Sequence, residues 1–416
     1  MPAIAAFHAI RYDTAVCDLA SVVAPPYDVI SEHARVAYET SSPYSAVRLV
    51  LPRDSTGGDS PGKYTQARAT LDTWLAAGVL RRDAAPSLTL YEQRYLIGGE
   101  ARSQRGILAA VRLDDPADGG VLPHERTYDS IVGDRLALLR ATEMNLDCTF
   151  CVYDGPDDAA ARAIDDLAAS EPASRFTTAD DGTEHVLWHM TDPASIAAVA
   201  ASMEKATVVI ADGHHRWRTA LTYRDEQRAQ HGSGPWDEQL MLLVDASRHG
   251  PSLLPIHRVV QAMDADDALA RLRECFSIEA VPRDDPEALA LSLVGGAPRA
   301  YVMLDGARAW RLTLTDRDAE RAAMPPERSA AWRDLDVAVL HRLVFDRLLG
   351  GVDARFVHSA TEAAEATIGG SVAFLIAPMR FESVRAVAEA GEAMPQKSTY
   401  FIPKPKTGVV FRSLAP

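Results

Sequence analysis

"VVIADGHHRWRTAL", Val208–Leu221, is the stretch from which the rest of the chain is read. "VVIA" has the pattern of a short buried strand, the residues after Arg216 that of a helix, and five polar or glycine residues sit at the handover. The first N–H groups of such a helix have no internal acceptor and carry the positive end of its dipole. Gly213 permits a backbone conformation and a close approach that a side chain would block. His214, His215 and Arg216 add donors at the same end, and a guanidinium can fork onto two phosphate oxygens. The turn reads as an anion cradle suited to a nucleotide phosphate.

The same residues admit plainer readings. Asp212 can cap the helix, contact a magnesium-bound water or orient a hydroxyl, and Arg216 can pair with Asp225 or Glu226. A zinc site is a weaker reading, because adjacent histidines on a helix diverge by about 100°. Upstream, Asp192-Pro193 starts a helix, so residues 192–230 run helix, strand, polar turn, helix.

A second polar cluster, His124, Glu125, Arg126 and Thr127 in "LPHERTYDS", stands at the entrance of another helix. Phosphoryl transfer needs charge neutralised on the phosphate, an in-line hydroxyl and usually a carboxylate near the attacking oxygen. Glu125 is the candidate for that carboxylate, with a capping arrangement the alternative. Asp212 and His215 complete the candidate catalytic set.

"IADGHHRWRTAL" resembles the D-G-H-H-R signature of the free-serine kinase family, whose fold is related to ParB and sulfiredoxin proteins. The frame of Gly213, Arg216 and Thr219-Ala220 is similar to the ParB-type phosphate motif. "VAPPYDVI", "HERT", "LLPIHRVV" and "MPQKSTYFIPKP" resemble the long bacterial branch of that family, so the likeness covers most of the chain. The resemblance implies a mixed α/β (α+β) fold: a ParB/sulfiredoxin-like nucleotide-binding core with an additional C-terminal α/β domain. It implies a kinase that phosphorylates free L-serine to O-phospho-L-serine, with ATP or ADP as donor. Asp212, Gly213, His214, His215 and Arg216 then hold the nucleotide, and Mg2+ follows from the polyphosphate charge. Threonine or another small hydroxylated metabolite as acceptor, and a non-enzymatic nucleotide-binding regulator, are the alternatives.

Bulk properties narrow the partners. The 416 residues carry 43 basic and 58 acidic side chains, a net charge of −15, which disfavours nucleic acid and anionic membrane as partners. No apolar run reaches membrane-spanning length, "MPAIAAFHAI" lacks signal-peptide features, and four cysteines make no disulfide framework, so a cytoplasmic location is expected. No protein-held metal is expected. A shift in composition near residue 262 divides the chain into 1–262, carrying the nucleotide site, and 263–416.

Several motifs read as decoys. Gly57, Gly62 and Lys63 nearly spell a P-loop, but Tyr64 stands where a hydroxyl should hold magnesium and Pro61 removes a backbone donor. Cys148 and Cys151 fall on opposite faces of the strand "CTFCVY", and His185 and His189 belong to the strand "HVLWHM". Asp334 and Asp336 read as helix caps. "SSPYSAVRLVLP" reads as a turn into a strand, and Lys397, Ser398, Thr399 and Lys404 as polar groups able to face an anion.

Overall fold

The computed structural model describes residues 2–54, 62–115, 120–155 and 158–415. Gly57 and Pro61 of the P-loop-like segment lie outside them. The chain forms two compact units, Met1–Pro251 with Pro403–Pro416, and Ser252–Ile402. The units do not divide at 262. Ser252–Leu254 pairs antiparallel with Tyr400–Ile402, so the second unit is an insertion whose first and last segments are joined at its root. A shift in composition cannot reveal such a closure, because the partner strand comes from far along the chain.

The first unit is built on a nine-stranded mixed sheet. Its strands are β1 (Ile4–Ala5), β2 (Leu88–Ile97), β3 (Glu100–Arg112), β4 (Val121–Leu122), β5 (Thr149–Tyr153), β6 (Ser174–Thr177), β7 (Glu184–Met190), β8 (Val208–Asp212) and β9 (Glu238–Asp245). They lie in the order β4-β8-β5-β9-β3-β2-β7-β6, with β1 beside the end of β3. β2 and β3 are the hairpin that Gly98-Gly99 announces, both glycines having positive φ as a tight hairpin turn requires. Most pairs are antiparallel, but β4 with β8 and β5 with β9 are parallel.

Four helices matter for the site and its surroundings. They are α1 (Lys63–Ala76), α2 (Asp129–Thr142), α3 (Asp158–Ala168) and α4 (Pro193–Met203); α4 starts as its sequence demands, with Asp192 accepting from Ser195 N at 2.8 Å. Ile107, Val111, Cys151, Val208, Ile210, Met241 and Leu243 from the central strands bury together with Trp217 and Leu221 from the segment after Gly213. Cys148 and Cys151 are free and buried, as small apolar residues.

Residues 47–50 form a short buried helix rather than a strand. Val47, Leu49 and Val50 are all 1% exposed or less, so packing on several sides overrides their β preference. The second unit holds a six-stranded antiparallel sheet. There Asp334 and Asp336 do not cap a helix. Both pair with the buried Arg299, at 2.6 and 2.7 Å, because that guanidinium requires counter-charge more than a helix end requires a cap. No helix of the described residues is long and apolar enough to cross a membrane.

Candidate active site

The parallel pairing of β4 with β8 aligns Val121 with Val208 and Leu122 with Val209. Parallel strands leave the sheet at the same end, so His124–Thr127 and Gly213–Arg216 emerge side by side. β5 runs antiparallel to β8, with Phe150 opposite Asp212, so Asp147 and Cys148 arrive at that end too. The ladder slips by one residue between Ile210 and Asp212, a bulge that re-aims the last side chain of β8.

Gly213 begins the helix α5 (His214–His231) with φ +95°, ψ 30°, in the left-handed region. A Cβ built there would lie 2.8 Å from Arg216 Nε. The glycine is therefore required twice, by its backbone angle and by the guanidinium packed against it. Trp217 N–H donates to Gly213 O at 3.0 Å, the first helical bond, and the amides before it have no acceptor within the helix.

Asp212 does not cap this helix. Its Oδ1 accepts from Lys404 Nζ at 2.5 Å and its Oδ2 from Arg216 Nη2 at 2.5 Å. Arg216 Nη1 donates to Cys148 O and lies 3.6 Å from Asp147 Oδ2. The expected partners are taken elsewhere: Glu226 pairs with Arg140 and Asp225 with Arg224. Arg216 is 6% exposed, a buried strut rather than an open fork. Burial lowers its pKa, but Asp147 and Asp212 outweigh that and hold it above the ordinary value. Burial raises Asp212, yet Lys404 and Arg216 prevail and keep it below the usual carboxylate range.

The histidines meet the other turn. His124 N–H donates to His214 Nε2 at 3.3 Å, and the two rings stand edge to face with centroids 4.7 Å apart. With Nε2 accepting, the proton of neutral His214 belongs on Nδ1, which faces Glu125 Oε2 at 3.4 Å. Burial pushes both His124 and His214 down to about 3. His215 Nε2 accepts from Tyr128 N at 3.0 Å, and its ring stacks on Tyr128 at 5.8 Å. Burial lowers His215 against the opposing pull of Asp28 and Glu125. Glu125 keeps 38% of its side chain exposed.

Asp28 and Asp147 were not legible as site residues. Asp28 lies in the single turn Tyr27–Val29 after the tandem prolines and 4.0 Å from Lys404, and Asp147 sits beside a C-x-x-C that draws attention to its cysteines. Of the tail residues, Lys404 reaches Asp212. Lys397 and Ser398 belong to the second unit, where Lys397 O accepts from Arg258 and Ser398 donates to Pro395 O. Lys63 pairs with Asp134 at 2.8 Å, and His185 is buried between Tyr91 and Thr178. Among the described residues no group of three or more His, Cys, Asp or Glu is placed to hold a metal ion.

The site is thus a glycine turn with bare helix amides, two neutral imidazoles, a buried guanidinium and a half-buried ammonium tied to Asp212, and a partly exposed carboxylate. Residues 4–338 match the family described as "Protein of unknown function (DUF1015)", and the chain belongs to that family. No curated protein matches the chain. Among solved structures, a free serine kinase in complex with AMP is similar at 13% identity, over 71% of this chain and 87% of that one, with a TM-score of 0.34. SbnI with C-terminal truncation from Staphylococcus aureus is similar at 11% identity, over 73% and 81%, with a TM-score of 0.33. A conserved hypothetical protein from Pyrococcus furiosus is similar at 12% identity, over 72% and 93%, with a TM-score of 0.32.

Proposed function

We propose that this chain is a nucleotide-dependent kinase that phosphorylates the hydroxyl of a small hydroxy amino acid, free L-serine first among them. The observation that carries the reading is the meeting of Glu125 with the Gly213 turn, brought about by the pairing of β4 with β8. In this reading the amides opening α5 and the Nδ1–H of His215 receive the terminal phosphate of ATP or ADP. Arg216 and Lys404 act from behind, fixing the turn through Asp212. Glu125, oriented by the Nδ1–H of His214, takes the proton from the acceptor hydroxyl. The hydroxyl oxygen forms its bond to the terminal phosphorus as the bond to the bridging oxygen breaks, and the shortened nucleotide leaves.

The residues fit magnesium only as an ion that arrives with the nucleotide. Asp28, 4.0 Å from Lys404, and Glu125, beside His214, are partly exposed carboxylates, and Mg2+ commonly takes one or two carboxylates plus phosphate oxygens. Its chemistry there is neutralisation of phosphate charge.

Incubating the purified chain with ATP or ADP, magnesium and a panel of hydroxy amino acids tests the proposal. O-phosphoserine from serine is expected. Phosphorylated product from a different acceptor replaces serine, tight nucleotide binding without product means a regulator, and neither binding nor product ends the reading.

A further inference from the structure

We propose that the first unit binds the ammonium group of a small amino acid in a cavity beside Arg216, with Asp147 as its counter-charge. The cavity measures about 50 Å³ and opens to solvent between α2, α5 and residues 144–147, which lead into β5. One water needs about 10–15 Å³ of such space, so an ammonium and the first carbons behind it fit. This binding needs no phosphoryl transfer and stands apart from the kinase reading.

Asp147 is the charged group in this cavity that lacks a close partner. Its side chain keeps 16% of its surface open, and among the described residues it accepts no hydrogen bond. Arg216 Nη1 stands 3.6 Å from its Oδ2 and donates to Cys148 O instead. Burial raises the pKa of Asp147, with Arg216 and Arg135 pulling the other way. Asp212 shows the contrast, holding a cation on each oxygen. Gln239, 3% exposed on β9, lines the same cavity, and its buried Oε1 has no partner either. Polar groups left unmet cost free energy that a ligand can return.

The chemistry of these groups selects the ligand. The unmet oxygens are acceptors, so the ligand must donate, and an ammonium brings three N–H donors with the charge that Asp147 lacks. The two guanidinium groups of the lining are already engaged, Arg216 with Asp212 and Arg135 with Asp134 and Val50 O. Arg216 Nε has no partner, but it packs against Gly213, where a Cβ would come within 2.8 Å of it. A metal ion is a poorer fit, since among the described residues no group of three or more His, Cys, Asp or Glu is placed to hold one. Leu138, Leu139 and Leu146 supply an apolar wall for a short carbon chain.

Calorimetry and thermal shift on the full chain, with L-alanine, ethylamine, propionate and potassium chloride, test this. L-alanine has no hydroxyl to phosphorylate, so the result is independent of the kinase assay. L-alanine is expected to bind saturably and to be displaced by ethylamine, which keeps the ammonium, but not by propionate or potassium. Asp147→Asn should weaken L-alanine about tenfold or more, and Gln239→Leu should weaken it in the same direction. The Asn variant leaves Arg216 its bonds to Asp212 and Cys148 O, so the turn should persist. Should that variant fail to fold by circular dichroism, Gln239→Leu and the probe series decide. Absence of saturable L-alanine binding would mean a cavity that holds water only. That result, displacement by propionate or potassium, no displacement by ethylamine, or binding unchanged in the folded variants overturns the proposal.

Discussion

Asp212 holds Arg216 on one oxygen and Lys404 on the other, and the second of these lies 192 residues away. A largely buried carboxylate between two cations, 13% exposed, is costly to remove, because its loss strands both charges. Glu125 is different, being partly exposed and touching only His214 in the site. Glu125→Gln is expected to fold normally, keep nucleotide binding and lose turnover by about 10²-fold or more, the usual worth of a positioned acid–base group. Equal loss of binding and turnover would make Glu125 a structural residue. The paired histidines give a pH prediction. Their folded pKa of about 3 lies below the ordinary 6.5, so below that value the unfolded chain takes up protons that the folded chain refuses. Their stabilisation is whole above pH 6.5 and drains away as pH falls toward 3, by at most about 5 kcal/mol per ring. Asp212, held below the carboxylate range, adds its own loss as pH falls through and below its ordinary 3.8. Urea midpoints measured from pH 7 to 4 should fall, and His214→Asn should flatten that decline.

At the scale of elements, the strand–glycine–helix unit follows from local chemistry alone. The apolar run, the left-handed glycine and the amides beyond it are all encoded within Val208–Arg216, which is why this turn was legible. What the turn faces was not. β4 is two residues long, too short for a periodicity signal, yet its pairing with β8 brings Glu125 to His214. The expected caps at Asp212, Asp334 and Asp336 went to ion pairs instead, since a buried guanidinium outcompetes a helix end for a carboxylate. Gly213→Ala is expected to cost about 1–3 kcal/mol from backbone strain and to displace Arg216. Nucleotide affinity should drop with it, whereas Lys63→Ala, which removes an ion pair to Asp134, should leave affinity unchanged. The reverse result would move the site to the glycine-rich segment before α1.

At the scale of the whole molecule, the last residues complete the first unit after the second has been inserted. Thr407 pairs with Ala24, Phe411 with Ile10, and Arg412 with Asn145, while Phe411 is wholly buried. Gln93 and Gln104 hold the carbonyls of Lys404 and Pro403 from within the sheet, which directs Lys404 onto Asp212. A chain ending at residue 402 should therefore lose cooperative unfolding of the first unit, seen as a broad thermal transition or none. A sharp transition at the full-length temperature would show the tail to be dispensable. Local pattern determined the strand, the glycine turn, the helix and the donors they carry, because those depend on neighbours within a few residues. The sheet order, the carboxylates that surround the turn and the return of the tail were decided only in the tertiary structure. Each of them depends on which distant backbone segment wins a hydrogen-bonding edge, and no short stretch of sequence records that competition.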